Sequence, residues 1–339
     1  MSTTNHKVLI IAEAGVNHNG QLKTALELVH AAAEAKADIV KFQTFKANLL
    51  ATASAQTADY QNKNLNLTSQ ENSQLEMLKK LELSFDDHHV IKEECRKLGI
   101  GFLSTAFDFE SLDFLTSLNL GLWKIPSGEV TNLPYLEKIG RLNQPTIVST
   151  GMCDLAEVEA ALDVLKKSGL SEKNLTVLHC NTDYPTKMSD VHLNAMAAMG
   201  KHFGIKYGYS DHTLGIEVPI AAVALGATVI EKHFTLSRDL PGPDHKASLE
   251  PKELAQMVSS IRNIEQALGR FEKRPTESEI KNRALGRKSI VALQPIQKGD
   301  VLSTNNLTTA RPGHGINPMN WHSVLGQKAD KDYNKGDLI

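Results

Sequence analysis

Short apolar runs recur along the 339-residue chain, and nearly all of them end in a small polar cluster. Residues 8–12 end in Glu13, 39–40 in Lys41 and Gln43, and 100–103 in Ser104 and Thr105. Residues 120–123 lead to Lys124, Ser127 and Glu129, 146–148 to Ser149 and Thr150, and 175–178 to His179, Asn181, Thr182 and Tyr184. Residues 207–209 end in Ser210, Asp211 and His212, and 228–230 in Glu231, Lys232 and His233. Between the runs, 22–35, 110–118, 133–142, 155–167 and 251–268 carry helical patterning. Strands that do not alternate, separated by helices, predict a parallel sheet covered by helices. Eight such repeats predict an α/β fold closed into a (β/α)8 TIM barrel rather than an open doubly wound sheet. In that architecture the chemistry sits at the carboxyl ends of the strands, which is where the polar clusters fall.

One connection is out of proportion. From residue 47 to about 70 the sequence is polar and rich in Asn, Thr and Ser before SQLEMLKKLEL resumes a helical pattern. Loops of that length are uncommon unless functional or disordered, and this one is expected to be a rim loop that partly covers the site. After about Gly269 the character changes again, with a charged stretch and then short runs broken by Lys-Gly-Asp turns. IQKGDVL at 296–302 returns as YNKGDLI at 333–339, which predicts a compact, largely β appendage with internal pseudo-symmetry. The expected organisation is a barrel over 1–270, a linker over 271–285 and a small β-rich domain over 286–339.

Composition narrows the function. Apolar content of 41% is ordinary for a globular protein, and the formal charge of −2 comes from nearly balanced Lys+Arg (37) and Asp+Glu (39). No run of one sign asks for nucleic acid or an anionic membrane. No apolar stretch approaches the roughly 20 residues of a membrane span, so a cytoplasmic enzyme is the expectation. Three cysteines, Cys95, Cys153 and Cys180, lack metal-type spacing and suggest buried thiols in a reducing compartment. Neither a Ser-His-Asp order nor a Gly-rich dinucleotide fingerprint is present, which lowers serine hydrolysis and hydride transfer.

The strongest chemical signal is His212 with His233. They follow consecutive apolar runs, so a closed barrel sets them on neighbouring strand ends. Imidazoles suit a divalent transition metal, and two protein ligands leave positions open for substrate and water. Lys41 and Lys124 also stand at strand ends, where a lysine buried alone is costly; an anionic substrate group or barrel glutamates would compensate it. Thr105, Ser127, Ser149, Thr182 and Ser210 could complete an anion cradle. Glu13, Glu129 and Glu231 are rim carboxylates able to act as general base or to position water; Glu129, in the tight turn SGE, is expected to point into the cavity, and for Glu231 a pairing with Lys232 or Lys41 is the alternative.

These residues sit in motifs that together resemble the bacterial sialic acid synthases, including their relatives that make legionaminic acid. The motifs are IAEAGVNHNG (11–20), VKFQTF (40–45), KIPSGE (124–129), STGM (149–152), SDHT (210–213), EKHFTL (231–236), GPDH (242–245) and RPGHGI (311–316), in order along nearly the whole chain. The resemblance implies a barrel followed by an antifreeze-like domain of the SAF type, in a domain-swapped homodimer. It implies condensation of phosphoenolpyruvate with an open-chain N-acetylmannosamine-type aldehyde to a nine-carbon 2-keto acid plus phosphate. A divalent ion is implied, manganese first, with magnesium or cobalt as alternatives. By the same matching Glu129 and Glu13 are the catalytic carboxylates and His212 and His233 the metal ligands. Lys41, Thr105, Lys124, Ser127, Ser149, Thr182 and Ser210 match phosphoenolpyruvate contacts, with Glu231 beside them. Glu13, Gln43, Tyr184 and Asp244 match contacts to the sugar or around the metal. Thr182 departs from relatives that carry NIYP where this chain has TDYP. Arg311 matches an arginine that enters the partner's barrel near the N-acetyl group. N-acetylmannosamine is the first expectation for the sugar and 2,4-diacetamido-2,4,6-trideoxymannose the alternative. A different metal-dependent barrel aldolase or a synthase making a shorter 2-keto sugar acid would lack the SAF-like tail.

Overall fold

The structure is a computed structural model that describes residues 7–65 and 73–339. The chain divides into two compact units, Met1–Gly269 and Arg270–Ile339. In the first, eight strands form one parallel sheet: β1 (Leu9–Gly15), β2 (Ile39–Thr44), β3 (Gly101–Ala106), β4 (Trp123–Ile125), β5 (Thr146–Ser149), β6 (Leu175–Cys180), β7 (Lys206–Asp211) and β8 (Val229–His233). They run in the order β3-β2-β1-β8-β7-β6-β5-β4, and the outer pair, β3 and β4, lie beside each other to close the barrel. The apolar runs are these strands, begun within a residue of each run except at β4, which starts three residues late, at Trp123, because Gly121 takes a positive φ and turns the chain.

A period of two within each strand separates core from site. One face carries Ile10, Ala12, Val40, Phe42, Ile125, Val148, Val177 and Ile230, packed outward under the helices. The other carries Ile11, Leu103, Ile147, Leu178 and Val229, with Leu9, Ile39 and Leu122 beside them, as an apolar plug inside the barrel. Two residues further along the same inner face come Glu13, Thr105, Ser149, Cys180 and Glu231, all buried. The inner face thus changes from apolar to polar at one level, and the plug is the floor of whatever binds above it.

The covering helices Leu22–Glu34, Phe109–Ser117, Leu133–Leu142, Leu155–Lys167 and Pro251–Leu268 match the helical stretches read from the sequence. Those beginning at Phe109, Leu133 and Leu155 are started by local side-chain caps, such as the reciprocal pair of Asp154 and Glu157. The long connection after β2 is partly ordered by its own short helices, Ala47–Leu50 and Asp59–Leu65, and Gln56 pairs with Ser73 to close the excursion. The end of that predicted loop, residues 66–70, lies outside the described residues.

The second unit holds an antiparallel pair, β9 (Ser289–Ala292) and β10 (Leu307–Ala310). The sequence repeat has a structural counterpart: Ile296 and Tyr333 exchange backbone hydrogen bonds of 2.9 Å, and Gly299 and Gly336 both take positive φ in the two Lys-Gly-Asp turns. Ile290, Ile296, Leu302, Leu307, Val324 and Tyr333 form its core. A capped helix, Glu277–Gly286, occupies most of the segment expected to be linker.

Two outcomes follow. Gly208 lies on the inner face of β7, where a Cβ would stand 2.1 Å from the Val229 carbonyl oxygen and 2.8 Å from Leu178. Gly208→Ala should cost about 1–3 kcal/mol by overpacking, read as a lowered Tm; an unchanged Tm would show that the strands yield freely. His18 is buried and pushed down to about 3 by that burial, with His88 held low for the same reason. A histidine depressed in the fold contributes stability above its unfolded value near 6.5, lost as pH falls toward the folded value. Stability should therefore fall by up to about 1.4 kcal/mol per pH unit per group below pH 6.5. His18→Gln should flatten that slope in chemical denaturation at pH 4.5–7, and an identical slope would contradict the assignment.

Candidate active site

The carboxyl ends of the eight strands surround a cavity of about 230 Å³. Its lining contains Glu13, Lys41, Gln43, Thr105, Lys124, Ser127, Ser149, Thr182, Tyr184, Ser210, His212, Glu231, His233 and Asp244. Fourteen of the sixteen residues singled out in the sequence thus converge. Glu129 and Arg311 are the two that do not.

At the bottom is a buried network of opposite charges. Lys41 Nζ stands 2.7 Å from Glu13 Oε2 and 3.6 Å from Glu231 Oε2, and it donates to Thr105 Oγ1 at 3.2 Å. Lys124 Nζ donates to Glu231 Oε1 at 3.0 Å, and Ser210 Oγ donates to the same oxygen at 2.8 Å. Barrel glutamates, rather than an anion alone, therefore compensate the two lysines. The carboxylates diverge: burial, with the neighbouring Glu231, outweighs Lys41 and lifts Glu13 to about 7. Burial opposes ionisation of Glu231 too, but Lys124 and Lys41 together hold it below the usual carboxylate range. Lys232, which might have neutralised Glu231, turns to the other face and pairs with Asp211 at 2.6 Å. Ser149 Oγ is buried with no hydrogen-bond partner among the described residues. A hydroxyl in that position is costly unless something else occupies the cavity.

His212 and His233 close one side, with ring centroids 5.3 Å apart. His212 Nδ1 donates to the Asn181 carbonyl at 2.5 Å, which fixes the tautomer with its lone pair on Nε2. Burial drives His212 down to about 4 and, aided by His212 and Lys41, pushes His233 well below the ordinary value. Both are therefore neutral, the form that ligates a metal. His233 Nδ1 is buried without a hydrogen-bond partner, and Asp244 Oδ2 lies 3.9 Å away. Among the described residues no group of three His, Cys, Asp or Glu is arranged around one point to hold an ion. The fit is to an ion held by two imidazoles, with substrate or water completing its shell. Tyr184 packs on His212 at 4.1 Å between centroids. Gly15 leaves the corner between them open, since a Cβ there would stand 3.3 Å from both Glu13 and His233.

Glu129 departs from its expected orientation. It does not line the cavity: its carboxylate accepts a 2.6 Å bond from Asn132 Nδ2, the cap of the Leu133–Leu142 helix, and burial raises its pKa. The turn Ser127–Glu129 presents Ser127 and Gly128 inward in its place. Arg311 belongs to the second unit, where it is exposed and its Nε donates to the Gly286 carbonyl at 3.1 Å. The cysteines are free thiols. Cys180 lines the cavity 3.3 Å from Ser127 Oγ.

Sequence reasoning missed an apolar side of the cavity made by Val16, Met77, Leu78, Leu81 and Phe107, and an aromatic step, Tyr60, stacked on Tyr184 at 4.9 Å. The amphipathic LEMLKKL pattern marked a helix there, but nothing in it revealed that its apolar face looks toward the strand ends.

A model of the NeuB family matches residues 28–273, and one of the SAF domain matches residues 287–339. The chain is 51% identical to an N,N'-diacetyllegionaminic acid synthase of Campylobacter jejuni over 98% of this chain and 99% of that protein. It is 48% identical to the protein of that name from Legionella pneumophila, over 97% and 92%. A crystal structure of an N-acetylneuraminic acid synthetase from Leptospira borgpetersenii, solved with citrate, superposes with a TM-score of 0.70 at 33% identity, covering 82% of this chain and 90% of that one. An eight-stranded barrel with this rim, followed by a SAF domain, and likeness from end to end lead to one conclusion: the chain belongs to the NeuB family.

Proposed function

We propose that this protein condenses phosphoenolpyruvate with an N-acetylated mannosamine-type aldehyde, and that its sugar is 2,4-diacetamido-2,4,6-trideoxymannose, giving N,N'-diacetyllegionaminic acid and phosphate. The observation that carries the reaction is the buried pairing of two lysines and two glutamates beside two neutral histidines. Identities of 51% and 48% to relatives named for diacetyllegionaminic acid favour that sugar over N-acetylmannosamine, the first expectation from the sequence.

In this reading Lys41 and Lys124, with the hydroxyls of Thr105, Ser127, Ser149, Thr182 and Ser210, receive the phosphate and carboxylate of phosphoenolpyruvate. Ser149 then gains the partner it lacks. His212 and His233 would hold a divalent ion, manganese by the family resemblance, with Asp244 beside them; such an ion supplies Lewis-acid polarisation of the aldehyde oxygen. Gln43 and Tyr184 orient the sugar so that its carbonyl carbon faces the methylene carbon of phosphoenolpyruvate. As the new carbon–carbon bond forms, the aldehyde oxygen must gain a proton. Glu13, protonated to a large extent near neutral pH and paired in register with His233, is placed to give it. Water then adds at the former enol carbon, losing one proton, and the carbon–oxygen bond to phosphate breaks as the new hydroxyl gives its remaining proton to the departing phosphate, leaving the ketone. Glu129 is proposed to take the water's proton after its carboxylate swings from Asn132 past Gly128, which has no atom within 4 Å of a would-be Cβ. Arg311 is proposed to serve the partner's cavity in a homodimer.

Phosphate release from phosphoenolpyruvate with manganese and each sugar, with and without EDTA, tests the function. Release that EDTA abolishes and manganese restores is expected, and no release with either sugar would reject the reaction. Glu13→Gln and Glu129→Gln should each lower kcat by roughly 10²–10⁴; Glu129→Gln should leave the melting temperature near wild type, whereas Glu13→Gln, which takes a carboxylate from Lys41, should lower it. Wild-type turnover in either variant would remove that residue from the mechanism.

A further inference from the structure

The cavity has two unlike halves. Over β4–β7 it is polar, with Lys124, Ser127, Ser149, Thr182 and Ser210, which suits an anion. Over β1–β3 the strand ends carry Glu13, Lys41, Gln43 and Thr105, and the lining is completed by Val16, Phe107 and, from the excursion after β2, Tyr60, Met77, Leu78 and Leu81. This second half is built as a unit. Val16, Leu78 and Leu81 belong to an apolar cluster with Phe45, Ala47 and Ala51, against which Met77 and Phe107 pack. The cluster is separate from those beneath the barrel helices. It holds an apolar surface against the cavity, and a hydroxyl turned onto Val16, Met77, Leu78, Leu81 and Phe107 would lose its hydrogen bonds to water without compensation there.

We propose that this wall selects the aldose, accepting a sugar whose carbon farthest from the aldehyde is a methyl and whose amino groups are acylated, and disfavouring one with a hydroxymethyl there. The inference rests on the proposed condensation and deepens it. Phosphoenolpyruvate, held at the strand ends by Lys41, Lys124 and the hydroxyls around them, leaves the aldose to lie with its aldehyde at the histidines and its remaining carbons along the wall. Tyr60, stacked 4.9 Å from Tyr184, carries the aromatic surface from the histidines to the wall. Gln61, on the same short helix, and Gln43, on β2, add uncharged amides of the kind that pair with an acetamido group. Apolar pockets discriminate by a modest factor, on the order of 10–100 for a methyl against a hydroxymethyl.

The test compares kcat/KM for 2,4-diacetamido-2,4,6-trideoxymannose and for N-acetylmannosamine in the full chain with manganese. The enzymes are wild type, Met77→Gln, which nearly keeps side-chain length, and Tyr60→Ser, on a short rim helix whose loss of packing threatens folding least. Wild type should prefer the deoxygenated sugar by roughly 10-fold or more, and the preference should shrink severalfold or more in each folded variant, with KM for phosphoenolpyruvate unchanged. A wild-type preference for N-acetylmannosamine, or equal losses on both sugars in the variants, would overturn the wall's role while leaving the condensation standing. A wild-type chain that turns over neither sugar would reject the condensation itself and this inference with it.

Discussion

Two lysines and two glutamates buried at the carboxyl end of the barrel form the constraint to which the rest of the structure answers. Ion pairs removed from water are held together only by close geometry and further hydrogen bonds, and removing one partner strands the other. Here the geometry comes from strand register. Glu13 is paired with Lys41 across β1 and β2, and Ser210 with Glu231 across β7 and β8. The barrel's closure brings Lys124 from β4 to the same carboxylate. When Glu13 holds a proton, two ammonium groups face one carboxylate, and the network has an excess of positive charge in a site of low dielectric. An anion is then the natural fourth member.

The same level of the barrel supplies the floor and the neighbours of that network. Directly beneath lie Ile11, Leu103, Ile147, Leu178 and Val229, so water is kept from the underside of the charges. Beside it stand two histidines that burial keeps neutral. Above the β1–β3 side, the excursion after β2 brings an apolar cluster to the rim. The cavity is therefore graded, from charge at the centre through imidazole to hydrocarbon, a sequence that matches a phosphorylated acid meeting the aldehyde end of a partly apolar sugar.

Much of this was legible in the chain. The polar clusters after each apolar run marked the rim because inward positions recur every second residue, and Glu13, Lys41, Lys124 and Glu231 stood out as charges closing apolar strands. That barrel glutamates could pair the lysines in place of an anion is visible in the sequence, but which glutamates do so depends on the register of strands distant in sequence. Glu129 shows the limit of local reading. The turn SGE announces a carboxylate near the rim, yet its direction is set by Asn132, a helix cap three residues on. The apolar wall escaped for the opposite reason: Met77, Leu78 and Leu81 look like the buried face of an ordinary helix, and only the excursion that carries that helix over the strand ends makes them part of a site.

The central claim is that the lysine–glutamate network is an anion site poised by Glu13, and calorimetric titration of phosphoenolpyruvate into the sugar-free protein tests it most directly. It should be run near pH 7.5 in buffers of different ionisation enthalpy, with wild type and Lys124→Met. An anion beside Glu13 further favours its protonated form, so binding should take up protons, and the substitution should weaken affinity by roughly tenfold or more. Binding without proton exchange, and equally tight in Lys124→Met, would contradict the account.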